Sequence, residues 1–238
     1  MKRKPAELKR LARARLTKHY GIPMAALVVS EIILMLLTIP FSWNVNINSS
    51  VSEWVIYYVA NFAITLLGVV MSTGVLRILL NMARGQSYEF TNLFYGFRNH
   101  PDRYILSYLL LIAMFLIPVI PAVIAVLIGV LLKNFLLLVI LTTIAIVLLL
   151  VGVVILSLCY SLVFFLLVDH ADMGVLEAFR TSRRLMNGNK ARMFYLLLTF
   201  IGLAILGILS IGIGFLWISP YMMETQTFFY LEVSGELE

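Results

Sequence analysis

The sequence has few charged residues and a single cysteine. Only 13% of its 238 residues are charged and 62% are hydrophobic, whereas about 25% are charged in a typical soluble domain. The one cysteine, Cys159, excludes an internal disulfide, and its apolar surroundings predict a buried thiol. No polar stretch is long enough to form a soluble domain. We therefore expect an all-α protein, a polytopic transmembrane helix bundle whose single membrane domain spans residues 1–238.

The sequence also lacks the motifs of common enzymes and metal sites. It contains no HExxH, no phosphate-binding P-loop and no G-x-S-x-G, and no two of its histidines have ligand spacing. We therefore expect no catalytic residues, no enzymatic activity, no metal site and no cofactor. The net charge of +6 does not indicate nucleic-acid binding, because the basic residues lie beside the apolar segments.

The long apolar runs are the main feature that is present. A membrane-spanning helix needs about 20 mostly apolar residues, and five segments meet this requirement. The third and fourth are long and nearly continuous, so they could also be divided into three passes, which would make six in all. The five predicted spans are 22–41, 54–80, 104–132, 135–168 and 194–218.

The basic residues favour five passes. Of the 18 lysines and arginines, eight precede Gly21, four lie around the second connection, five precede the last span, and only Lys133 remains. Five passes place the three clusters on one face, which the positive-inside rule assigns to the cytoplasm. We therefore predict a cytoplasmic N-terminus and an external C-terminus. The residues expected to contact anionic lipids are Arg10, Arg13, Lys18, Arg98, Arg103, Arg183, Arg184, Lys190 and Arg192.

Each basic cluster includes a short amphipathic stretch, at 5–18, 87–98 and 172–187. We expect these stretches to form interfacial helices, with Ser87 and Asp172 as N-caps of the second and third. The chain then repeats an interfacial helix and a hairpin twice, and ends with an interfacial helix and a single span. Such internal repetition occurs in transporters, but the need of any multispan protein for cytoplasmic anchors also explains it. Segment 221–233 is expected to lie along the outer surface.

Glu31 is the leading candidate for a functional residue. It lies near the middle of the first span, where a carboxylate is costly and faces a polar cavity or the bundle interior. Asn61 and Thr65 reach a similar depth from the second span, and Arg77 is placed to pair with Glu31. The alternative is a glutamate that only holds two helices together.

Two prolines interrupt the third span. Pro118 and Pro121 remove backbone donors near its middle and predict a break in the helix. The break is either a hinge that exposes carbonyl groups to a substrate or a plain kink.

The region before and within the last span resembles a known family. The residues that carry the resemblance are Ala178-Phe179-Arg180, Ser182-Arg183, Leu185-Met186, Gly188-Asn189-Lys190, Phe194, Gly212 to Trp217, Pro220-Tyr221 and Phe229-Tyr230, together with Leu8-Lys9, Ala12-Arg13 and Leu16 near the N-terminus. They are similar to a family of bacterial integral membrane proteins, the domain-of-unknown-function family numbered nine-seventy-five. The resemblance implies a multipass protein of the plasma membrane and brings no catalytic residues.

Two function classes follow from these observations. The first is transport, or the handling of lipids and other amphiphiles, through a polar site near Glu31. The second is a membrane scaffold or accessory protein whose basic helices bind anionic lipid and recruit a partner. In both, the phospholipid bilayer is the surrounding medium, and a second copy of the chain or another membrane protein is the expected partner.

Overall fold

A computed structural model describes residues 3–43, 45–46, 49–131 and 135–237, and within these ranges the regular structure is entirely helical. The predicted connection at Lys133 and Asn134 lies outside the described residues. The α-helices are α1 (Pro5–Leu16), α2 (Gly21–Ser42), α3 (Val51–Arg84), α4 (Tyr95–Arg98), α5 (Pro101–Leu116), α6 (Val119–Leu131), α7 (Phe135–Cys159), α8 (Val163–Asp169), α9 (Val175–Leu185), α10 (Lys190–Leu198), α11 (Ile201–Leu209) and α12 (Phe215–Val233), and a 3-10 helix covers Phe90–Phe94.

Five helical segments of the described chain are long and apolar enough to cross a membrane, as expected from the sequence. They agree with the predicted spans within a few residues, except at the end of the last one. Their composition is compatible with a multipass membrane protein. The segments are Gly21–Ser42, Val51–Arg84, Pro101–Leu131, Phe135–Asp169 and Lys190–Leu209.

The predicted last span, 194–218, is not one continuous helix. α11 ends at Leu209, and α12 begins at Phe215 and runs back beside α11, so that Glu232 near its end reaches Arg192 in α10. The Phe200 and Tyr221 rings lie 5.3 Å apart, which fixes the antiparallel register of this third hairpin. The last of the five long apolar segments therefore ends at Leu209 and not at residue 218, and it is not left alone: α12, which is not one of the five, packs back beside it as the second arm of a third hairpin.

Small residues make this turn possible. Gly212 adopts φ +84°, a left-handed conformation that favours glycine. The Ser210 hydroxyl donates to the Gly207 carbonyl at 2.7 Å and accepts from the Gly214 N–H at 2.8 Å. A Cβ on Gly207 would lie only 3.0 Å from the Phe215 ring, so the missing side chain lets the two arms approach. Hydropathy does not distinguish such a turn from a continuous span.

α12 lies in the core and not along an outer surface, so the prediction for segment 221–233 was wrong. It packs against α1, α2 and α3. Its fully or nearly fully buried side chains are those of Tyr221, Glu224, Thr225, Thr227, Phe228, Phe229, Tyr230 and Leu231. Aromatic and aliphatic burial on this scale stabilises the hairpin against the rest of the bundle.

The two ends of the chain lie together. The Arg3 backbone N–H donates to the Glu232 carboxylate at 2.6 Å, and the Arg192 guanidinium donates to the same carboxylate at 2.7 Å. Arg84 binds Glu236 at 2.8 Å. The predicted placement of the termini on opposite sides was therefore wrong, because acidic groups near the C-terminus pair with the basic clusters. We call this end of the bundle, marked by Arg3, Arg84 and Arg192, the basic end.

The three amphipathic stretches lie at the basic end, and α1 and α9 direct their apolar faces into the protein. α1 buries Leu8, Ala12 and Leu16. Lys9 on the same helix donates to the Thr199 carbonyl at 2.9 Å and lies 3.9 Å above the Phe200 ring. Burial, and after it the positive charge of Arg13, lowers the pKa of the Lys9 ammonium.

The second and third stretches begin later than predicted. The 3-10 helix has Glu89 as its N-cap and α9 has Gly174, so the predicted caps Ser87 and Asp172 were wrong. Residues 87–98 form two short helical pieces in place of one amphipathic helix, and of Phe90, Leu93, Phe94 and Phe97, which would form the apolar stripe of such a helix, only Leu93 is buried. The close fit of this segment against α3 decides its shape.

Candidate functional site

The α2–α3 hairpin carries polar side chains inside apolar helices. Many of them are satisfied by their own helix, because a hydroxyl or amide can donate to the carbonyl one turn earlier. Thr38 donates to the Leu34 carbonyl at 2.8 Å, Thr65 to the Asn61 carbonyl at 2.8 Å and Asn61 to the Tyr57 carbonyl at 2.9 Å. Their remaining acceptor positions are free to face a ligand.

These side chains line an open groove between α2 and α3 of about 460 Å³. The groove brings together Glu31, Asn61 and Thr65, which were predicted to share a depth. At Gly68 the two helices approach each other closely, because a Cβ there would lie 3.0 Å from Leu34 Cδ1. This contact forms the back wall of the groove. The lining residues are Glu31, Leu34, Thr38, Asn61, Ile64, Thr65, Gly68, Val69 and Ser72.

Glu31 also lines a second cavity on the other side of α2. This cavity has a volume of about 370 Å³ and lies between α2 and the first turns of α12. Except for Glu31 and Ser219 its walls are apolar, so the carboxylate lies between this cavity and the α2–α3 groove, which holds more polar side chains. The apolar walls are Met24, Leu27, Val28, Ile32, Phe215 and Leu216.

Glu31 is exposed and makes no ion pair with any described residue. The expected partner, Arg77, is directed elsewhere: its guanidinium lies 3.5 Å from the Val168 carbonyl and 5.1 Å from the Tyr95 ring centre. The predicted pairing of Arg77 with Glu31 was therefore wrong. A carboxylate with free oxygens in such a place can accept hydrogen bonds from a ligand or hold a cation.

The helix break lies at the first of the two prolines. α5 ends at Leu116 and α6 begins at Val119, so Pro118 falls in the break and Pro121 in the first turn of α6. An adjoining cavity of about 220 Å³ is lined by both prolines and by apolar side chains of α6 and α7. The walls offer no charged group to a substrate.

The predicted lipid-contacting cations fall into two groups. Arg192 is bound to Glu232, and Arg103 donates to the Met173 carbonyl at 2.9 Å, so both are engaged within the protein. The other seven make no ion pair with the described residues. These seven are Arg10, Arg13, Lys18, Arg98, Arg183, Arg184 and Lys190.

Sequence reasoning missed one buried acid. Glu224 on α12 is fully buried, and neither carboxylate oxygen has a hydrogen-bond partner among the described residues. Its position between aromatic and hydroxyl residues resembled a surface anchor because α12 was expected outside the bundle. Across the described ranges, no three histidine, cysteine, aspartate or glutamate residues are placed to hold a metal ion.

A family model described as a protein of unknown function, DUF975, matches residues 1–236. The chain belongs to this family. No curated protein and no solved structure matches the chain. In this DUF975 protein the features that bear on function are the grooves beside Glu31 and the cations of the basic end that make no ion pair with the described residues.

Proposed function

We propose that this DUF975 protein is a multipass protein of the bacterial cell membrane, with the basic end and both termini in the cytoplasm. The support is the charge distribution, because lysines and arginines near the ends of spans are retained on the cytoplasmic side. The pairing of α12 with the last apolar segment, and the meeting of the two chain ends, support an arrangement in which the chain returns to the side on which it began. We assign no catalytic step and no cofactor to the protein.

The expected topology can be tested with single cysteines in a Cys159→Ala background. We expect an impermeant maleimide to label Ser52→Cys in intact cells, because Ser52 lies in the first turn of α3, at the opposite end of this helix from Arg84 and the basic end. Lys4→Cys and Ser234→Cys should be labelled only after permeabilisation. Labelling of Ser234→Cys but not Lys4→Cys in intact cells would show that the termini lie on opposite sides.

We propose further that the protein takes up an amphiphile laterally from the bilayer at Glu31. The observation that carries this proposal is the position of one exposed carboxylate without an ion pair, between a groove that holds several polar side chains and a cavity that is almost entirely apolar. An amphiphile has the matching division into an apolar chain and a polar head. Transport would require this site to open to both sides, and binding is the first step that any such cycle needs.

The carboxylate selects the head group. An ionised glutamate surrounded by apolar residues is stabilised by a cation or a strong hydrogen-bond donor more than it would be in water. An ammonium head can neutralise Glu31, while hydroxyls and the amide of the α2–α3 groove supply further polar contacts. An amphiphile with an anionic head would be repelled.

Replacing Glu31 by glutamine is expected to weaken binding of a spin-labelled stearylamine by about tenfold or more, since losing a charged partner costs upward of about 1.5 kcal/mol. The measurement is a titration of the protein in nanodiscs, with spin-labelled stearic acid as the oppositely charged probe. Glu177→Gln, an exposed glutamate on α9, is the matched control. Unchanged binding in Glu31→Gln, or equal binding of stearic acid by the native chain, would exclude the proposal.

The alternative is a scaffold or accessory protein that uses its basic helices to grip anionic lipid and bind a partner, which is a second copy of the chain or another membrane protein. The seven cations without an ion pair favour it. The two functions are distinguishable, because a scaffold retains its assembly in Glu31→Gln and a protein that handles amphiphiles through Glu31 loses its ligand.

A further inference from the structure

The exposed face of α9 carries a stripe of cations. Arg180, Arg183, Arg184 and Asn187 follow one another at i, i+3, i+4 and i+7, so they lie on one side of the helical path. Lys190, at the start of α10, joins them, and the five side chains line a polar cavity of about 360 Å³. This cavity is separate from the grooves at Glu31.

The opposite face of α9 is fixed in the protein core. Ala178, Phe179, Ser182 and Met186 are buried, and the Ser182 hydroxyl donates to the Cys159 carbonyl at 2.9 Å. The helix ends before Gly188, whose φ of +73° turns the chain so that Lys190 faces the same cavity. The cations are therefore held on a rigid support, which lowers the entropy cost of binding a ligand.

No acidic group of the described chain neutralises these cations. The nearby acids of the basic end are already used, because Asp169 and Glu236 bind Arg84 and Glu232 binds Arg192. Glu177 lies one turn before Arg180 on the same helix, yet it is not within 4.0 Å of it. Four positive charges thus surround one cavity without an internal counter-ion.

We propose that this cavity is a binding site for a single phosphate monoester group. Guanidinium groups bind phosphate oxygens through paired hydrogen bonds, and several arginines on one helix face can contact different oxygens of the same group. Four cations match a dianionic phosphate better than the single charge of a phosphodiester. The site is thus more selective than a diffuse attraction between basic residues and an anionic surface.

The same head-group chemistry occurs in a lipid and in a soluble phosphate. The exposed side chains of Phe194 and Tyr195 on α10, 42% and 59% exposed, follow Lys190 and offer an apolar surface to the chains of a lipid. A soluble phosphate would use the cations alone. The two sources are separated by comparing ligands that share the phosphate and differ in the acyl chains.

The test is calorimetric titration of the purified full chain in neutral detergent. The probes are dioctanoyl phosphatidic acid, dioctanoyl phosphatidylglycerol with the same chains and one charge fewer, and inorganic phosphate. We expect one equivalent of phosphatidic acid to bind, and to bind more tightly than phosphatidylglycerol. Inorganic phosphate that binds as tightly as phosphatidic acid identifies a soluble ligand, and much weaker binding identifies a lipid.

Removing two of the arginines should abolish the selectivity. We expect Arg183→Ala/Arg184→Ala to weaken binding of phosphatidic acid by about a hundredfold, since each charge-assisted contact contributes about tenfold or more. Lys4→Ala/Arg15→Ala removes the same charge from exposed positions that neither line the cavity nor belong to the predicted lipid contacts, and should leave the affinity almost unchanged. Both double variants should keep the native thermal midpoint, because none of the four side chains is buried.

Three results would overturn the proposal. They are the absence of saturable binding by either phosphate probe, equal affinity for phosphatidic acid and phosphatidylglycerol, and equal losses in the two double variants. The last would mean that total charge alone, and not this cavity, attracts the ligand. Because Glu31 is not involved, failure of this test leaves the amphiphile site untouched.

Discussion

Replacing Gly74 by alanine is expected to destabilise the protein by about 3 kcal/mol or more, the upper part of the range for overpacked cores. Gly74 lies in α3 where the 3-10 helix crosses it. A Cβ there would lie 2.7 Å from the Leu93 Cα and still closer to the Leu93 carbonyl group. These are backbone atoms, so no change of side-chain rotamer can relieve the clash.

Each of the two crossing segments has a glycine at the point of contact. A Cβ on Gly96 would lie 2.5 Å from the Val70 carbonyl oxygen, so a second glycine admits the backbone of α3 in the same way. Small residues allow such close approach between helices. Separation of the two segments would expose Leu93, which is fully buried, and weaken the contact between the first hairpin and the second.

The thermal midpoint of the purified protein, followed by size-exclusion chromatography in detergent after heating, measures this effect. Gly202→Ala is the matched control, because a Cβ at that position in α11 meets nothing within 4 Å. Alanine favours helix over glycine by up to about 1 kcal/mol, so the control should be neutral or stabilising. A Gly74→Ala protein as stable as the control would contradict the predicted backbone crossing.

Replacing Arg84 by alanine is expected to cost about 3–5 kcal/mol, because it leaves a buried carboxylate without its counter-charge. Two guanidinium nitrogens bind the two Asp169 oxygens at 2.6 and 2.7 Å, and the Asp169 side chain is only 8% exposed. The Tyr230 hydroxyl also donates to Asp169 at 2.7 Å. Arg84 further binds Glu236, so it joins α3, α8 and the C-terminal residues.

A double-mutant cycle separates the pair from a general loss of charge. We expect Arg84→Ala/Asp169→Asn to have a higher thermal midpoint than Arg84→Ala, since the double variant no longer buries an unpaired negative charge. Arg98→Ala, which removes an exposed arginine without an ion pair, should change the midpoint little. An Arg84→Ala protein as stable as Arg98→Ala would mean that the pair contributes little to the fold.

The four apolar segments from 22 to 168 were predictable because length and hydropathy are properties of consecutive residues. The shared depth of Glu31, Asn61 and Thr65 followed from counting along two antiparallel helices. The partner of Arg77 did not follow, because depth does not set the rotation of a helix about its axis. Packing of α3 against Val168 and Tyr95 sets that rotation.

The predicted last span shows the limit of hydropathy. The predicted span 194–218 includes Ser210, Gly212 and Gly214, since an apolar turn has the same average hydropathy as an apolar helix. The left-handed backbone at Gly212 and the contact of Phe215 with Gly207 reverse the chain. The signal available in the sequence was the spacing of small residues around one serine.

The sequence by itself determined the helical class, the five long apolar helical segments and the amphipathic helices α1 and α9, because each depends on composition or on local periodicity. Only the tertiary structure decided that α12 returns through the core and that the chain ends meet. The acidic residues near the C-terminus show the physical reason. Glu232 and Glu236 could remain in solvent or pair with Arg192 and Arg84, and nothing in the local sequence distinguishes the two arrangements. Contacts between residues far apart in the chain select between them.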